Sequence, residues 1–274
     1  MLKIERPAVD KALAQKTFDL TRKHLTDLIG KIETVAPALS GVFDASHQLA
    51  ATASVVAPDD PVLRSALKTN AQAAAAMFTL ANQKVRGQPM SYAGPIGDAT
   101  VQITGRAPNS SLGPTNYQVG LYSSLISRDD DANHRLCVIP PPSIRQGGVQ
   151  ADEFQYAWNA MLGQISRGEN LDGAVDAITA ASAPDQVKIA NRDQVDEKLW
   201  LARAAAAARA GDAAAVNDGL AKSLAAFRKS WESEPQRWRG WLSLGATAIA
   251  CWAVDQGIAV TVESEYMPRS LLGR

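Results

Sequence analysis

Apolar side chains recur three and four positions apart through most of this chain, the spacing of one buried face on a helix. Phe154, Trp158, Met161, Leu162 and Ile165 are the cleanest case, with Asp152 ahead of them as a helix cap. Similar stripes predict helices over residues 7–30, 44–57, 61–86, 116–128, 171–182 and 193–210, and from 213 to the stop at Glu234 and Pro235. Asp44 and Asp193 read as helix starts. Asp60 with Pro61 is a stronger start, because proline suits the first helical position. Lys84, Arg86 and Gly87 form the matching stop.

Residues 241–254 depart from the stripe. Nearly every side chain there is apolar or small, so a helix over this span has to be buried on all sides. The run falls short of the roughly 20 apolar residues of a membrane span. Gly257 is placed to end that helix. The alternation of Ile258, Val260 and Val262 then predicts a short strand, and residues 264–268 a turn.

Residues 87–115 have another texture, rich in glycine, proline and polar residues, with a faint strand signal at Val101 and Ile103. They mark a possible junction between subdomains within a single helical domain over 1–274. The break at Gly211 and Asp212 between two long helices predicts a helical hairpin. Successive hairpins resemble tetratricopeptide-like packing, but no fixed repeat period is present. The expected fold is mostly α: an irregular array of helical hairpins around the buried C-terminal helix, with minor β content.

Composition narrows the function. The 274 residues carry 28 basic and 28 acidic side chains, a formal net charge of zero. A dedicated nucleic-acid binder usually shows a basic excess, so nucleic acid is not expected as a partner, nor is a membrane. The first residues show no apolar core of a secretory signal, and a cytoplasmic location is expected. Cys137 and Cys251 lie in apolar runs and read as small buried hydrophobes, with a disulfide left open.

The usual chemical signatures are missing. His24, His47 and His134 lie on separate segments, and no zinc-binding, nucleophile-elbow or dinucleotide spacing occurs. Neither Gly94 to Gly97 nor Gly147 with Gly148 has the setting of a phosphate loop. No cofactor or metal is expected. Asp129, Asp131 and Asn133 have calcium-loop spacing, but His134 and Pro140 stand where the loop needs glycine and glutamate. Asp129, Asp130 and Asp131 remain the candidate partner-binding residues. Read as the tail of helix 116–128, their charges oppose the helix dipole, and an acidic patch suits a basic partner surface. The six tryptophans sit on or beside apolar faces; most read as core, with Trp238 and Trp241 as candidates for partial exposure.

A buried helix followed by Asp255, Gly257, Ile258, Val260, Val262, Glu263, Ser264, Tyr266 and Pro268 resembles the Imm49 family of immunity proteins. That resemblance implies a non-enzymatic bacterial protein whose partner is a cognate protein toxin of a polymorphic toxin system, neutralised by stoichiometric occlusion. The tail motif itself reads as structural. Two other functions stay open: a tetratricopeptide-like adaptor or chaperone holding a peptide or client, and a helical enzyme with a spatially assembled site.

Overall fold

The computed structural model describes residues 3–35, 37–105, 112–145 and 149–273; Gly147 and Gly148 lie outside them. The first elements are a two-residue strand β1 (Lys3–Ile4) and helices α1 (Lys11–Ile29), α2 (Ala38–Val56) and α3 (Pro61–Val85). Asp10 caps α1 by accepting from the N–H groups of Ala12 and Leu13, and Asp60 caps α3 through Val62 N–H. Helix α2 begins at Ala38, not at Asp44 as the sequence suggests. Leu39, Val42 and Phe43 carry its buried face upstream, and Asp44 lies inside the helix instead of capping it.

The glycine-rich stretch holds a hairpin, β2 (Ser91–Ile96) and β3 (Ala99–Thr104), paired antiparallel from Ser91↔Thr104 to Ile96↔Ala99. Gly97, at φ 62°, takes the first turn position, which needs a positive φ in a type II′ connection. Tyr92, Ile96, Val101 and Ile103 point inward, and the hairpin lies on α3.

Next come α4 (Pro114–Ser127), α5 (Asp130–Cys137), α6 (Pro141–Arg145), α7 (Glu153–Arg167) and α8 (Ala174–Ala181). Helices α3 and α4 meet through small residues; a Cβ on Gly120 would stand 2.5 Å from the Ala74 Cβ. Asn70 joins α2, α3 and α4, donating to Phe43 O (2.7 Å) and accepting from Ser123 Oγ (2.8 Å). The prolines after Ile139 stop α5 and also begin α6, since proline is tolerated in a first turn. Asp152 precedes α7, but its carboxylate accepts from the N–H groups of Lys188, Ile189 and Ala190 at 2.8–3.2 Å. Burial alone would raise that carboxyl's pKa; the three donors hold it below the usual value.

Helices α9 (Arg192–Arg209) and α10 (Ala213–Trp231) form the expected hairpin. Asn191, not Asp193, caps α9, in a capping box with Gln194. A single turn of 3-10 helix (Trp238–Gly240) leads into α11 (Leu244–Asp255). Residues 244–253 are buried without exception, and α11 packs against α4, α9 and α10. The molecule is thus mostly helical, with hairpins gathered around a buried C-terminal helix. Trp241 is fully buried, contrary to the sequence expectation, and its indole N–H donates to Pro235 O at 2.9 Å.

Gly257, at φ 82°, closes α11 with bonds from Gly257 N to Val254 O and from Ile258 N to Ala253 O. Residues 258–262 are not the expected strand. The Asn217 side chain takes up their backbone groups, donating to Ala259 O and accepting from Thr261 and Val262 N–H. The strand is β4 (Glu263–Ser264), parallel to β1, before a last helix α12 (Arg269–Leu272). Among the described residues no helix is long and apolar enough to cross a membrane.

Candidate functional site

At the centre of the array, α2, α4, α7, α9, α10 and the 3-10 turn enclose a groove of about 260 Å³ above α11. Its base is an ion pair of sequence neighbours on α9. Lys198 Nζ lies 3.2 Å from Glu197 Oε1, and the two side chains are only 16% and 8% exposed. Nζ also sits 5.4 Å from the centre of the Tyr122 ring. Trp158 Nε1 donates to the Tyr122 hydroxyl oxygen. Burial would lower the lysine's pKa, but Glu197 and Tyr122 raise it above the ordinary value. Burial raises that of Tyr122. Glycine at 245 keeps this base open: a Cβ there would lie 2.7 Å from Leu201 Cδ1 and 3.5 Å from Glu197 Oε1.

The opposite wall comes from α2 and the 3-10 turn. His47 meets Trp238 edge to face, centroids 4.9 Å apart at 89°. Burial, with a smaller contribution from Arg239, pushes its pKa down to about 3, so the ring is neutral. Burial raises the Asp44 carboxyl, and Arg239 partly offsets this. Phe227, Ser230 and Trp231 of α10 and Phe154 of α7 complete the lining. A wider cleft of about 610 Å³ lies beside α3 and α12. Its Arg64 is already committed to the carbonyl oxygens of Ser270, Leu271 and Gly273, at 2.6–3.2 Å.

The acidic triplet lies elsewhere, on the α4–α5 connection. Helix α4 ends at Arg128, in the left-handed region at φ 55°, and Asp129 starts the next helix. The carboxylates therefore stand at a helix N-terminus, where the dipole favours them. Asp129 accepts from Ala132 N–H (3.0 Å) and from Gln72 Nε2 (2.9 Å), while Gln72 Oε1 accepts from Gly97 N–H (2.9 Å). Asp131 pairs with Arg135 at 2.8 Å, and Arg135 lies over Tyr92. Asp129 and Asp131 thus hold the hairpin side of the molecule, and Asp130 is left exposed.

The tail motif also fastens structure. Asp255 pairs with Arg128 at 3.2 Å, and Arg128 reaches the carbonyl oxygens of Leu271, Leu272 and Gly273. Ser264 Oγ donates to Ile4 O, and buried Tyr266 packs edge to face on Phe227. Cys137 and Cys251 are both free and buried. Among the described residues no three His, Cys, Asp or Glu side chains gather as a metal-binding group.

Sequence reasoning did not single out the groove residues. Glu197 and Lys198 carry no motif spacing that would mark them. The available signal was periodic: Glu197, Leu201, Ala204 and Ala208 share one buried face of α9, so a carboxylate interrupts an apolar stripe.

Fold and site together define an α-helical hairpin array with one polar-floored groove at its centre. The chain belongs to the Imm49 family: the family model, Immunity protein 49, matches residues 58–271. The match begins after α2, so Phe43, Asp44 and His47 line the groove from outside it. No curated protein and no solved structure matches the chain significantly.

Proposed function

We propose that this protein is an immunity protein that binds a cognate antibacterial toxin in the cytoplasm, through the central groove, and neutralises it by stoichiometric occlusion. Membership of the Imm49 family over residues 58–271 carries this reading. The groove's chemistry supports binding over catalysis. A general base works best with a pKa near the working pH, whereas His47 is held near 3 and Lys198 above its ordinary value. Of the acidic triplet, Asp130 is the carboxylate left free for an outer contact with a basic toxin surface.

The test is to titrate purified protein against the toxin encoded beside it. Protection should be complete near an equimolar ratio, with nanomolar binding, about −12 kcal/mol. Full protection at strongly substoichiometric amounts would replace binding with an enzymatic mechanism. Binding of a peptide or client without protection would point to an adaptor.

A further inference from the structure

We infer that the groove takes one uncharged aromatic side chain with a polar tip, a tyrosine or tryptophan on the toxin surface. This rests on the reading of the groove as the toxin contact. Size comes first. At about 260 Å³ the space lies below the roughly 300–1,000 Å³ of ligand pockets, and it suits a single large side chain. Charge comes second. The lining carries two cations, Lys198 and Arg239, two anions, Asp44 and Glu197, and the neutral ring of His47. Lys198 and Glu197 already neutralise each other. Asp44 and Arg239 are exposed, so a charged newcomer that reached the buried Glu197–Lys198 pair would find no net counter-charge there, which is unfavourable.

The walls supply the rest. Tyr122, Phe154, Phe227 and Trp231 offer faces and edges to an aromatic ring. Two hydroxyls lack a full set of partners. Ser230 Oγ is buried with no hydrogen bond among the described residues. The Tyr122 oxygen accepts from Trp158, which leaves its own proton to donate. An incoming indole N–H or phenol O–H can donate to Ser230, and a phenol oxygen can also accept from Tyr122. Aromatic anchors seated in such pockets are the usual centres of protein interfaces.

The test uses the full chain and three probes: the N-acetyl amides of tyrosine, arginine and glutamate. Wild type should show saturable NMR shifts of the Val119 and Leu244 methyl groups and the Trp231 indole with the tyrosine probe alone. Ser230→Phe, which fills the groove, should abolish them, and Ser230→Ala should weaken them by about fivefold. Equal or stronger binding of a charged probe, or no saturable shift with any, overturns the inference. Against the toxin, Ser230→Phe with an unchanged urea midpoint should lose at least about a hundredfold in affinity. If wild type and Ser230→Phe bind toxin alike, the groove is not the contact, and the immunity reading survives. If wild type binds no toxin but still takes the tyrosine probe, the groove chemistry stands and the toxin is not its ligand.

Discussion

At residues 129–131 three carboxylates follow one another in the sequence, and the fold uses two of them internally: Asp129 on Ala132 and Gln72, Asp131 on Arg135. In the groove the charges arrive from α2, α9 and the 3-10 turn, and the fold leaves valence open there. Asp44 and Arg239 have no ion-pair partner within 4 Å among the described residues, and the Ser230 hydroxyl has no hydrogen bond there. Density of charge along a chain therefore says little about a site. What separates the two regions is whether their polar groups have been consumed by the protein itself.

Removing a groove charge should have the largest effect. Glu197→Ala leaves Lys198 buried without its partner and should destabilise the protein by about 3–5 kcal/mol, measured by urea unfolding. A loss below about 1 kcal/mol would mean that the pair is solvated and the groove open. Asp129→Ala removes a helix cap and the link to Gln72, and should cost about 1–2 kcal/mol. A smaller loss would make the acidic turn less structural than its bonds suggest.

The groove should also give a pH signature. An unfolded histidine protonates below about 6.5, but His47 in the folded protein only near 3. Between those values the unfolded state binds more protons, so stability falls as pH falls. The slope should be below about 1.4 kcal/mol per pH unit, because the ring is partly exposed, and His47→Gln should remove it. An identical pH profile for both proteins would place His47 in solvent. The smallest effect belongs to Asp130→Asn, within about 0.5 kcal/mol of wild type. With the groove as main contact, its toxin association should change little at low or high salt. A slowed, salt-insensitive association would move the main contact to the acidic turn.

Much of the helical framework was legible because its signals are local. Asp60 with Pro61, the stripe of α7, the break at Gly211 and the apolar run of α11 each act within one or two turns. Most misreadings involve distant partners; that of Asp193 involves a competing cap two residues away. Residues 258–262 alternate like a strand, yet Asn217 on α10 satisfies their backbone. Asp193 resembles a cap, but Asn191 and Gln194 satisfy each other first. The acidic triplet was placed on the wrong helix end because Arg128 adopts a left-handed conformation, unusual for a residue other than glycine, that ends α4 before Asp129; its side chain is held by Asp255. The groove needed seven elements brought together, and only the carboxylate within the buried stripe of α9 announced it.

The pairing of Ile4 with Ser264 bears on how the protein is made. Among the described residues strand β1 pairs with no strand but β4, and Arg6 N–H donates to the Glu265 carboxylate. The two sides of the bond from Ser264 Oγ to Ile4 O are 260 positions apart. A ribosome adding about 5–20 residues per second needs roughly 13–52 s to bridge that interval. Throughout it the first strand lacks its β4 partner, and a translation product halted before residue 263 lacks the segment that pairs with it.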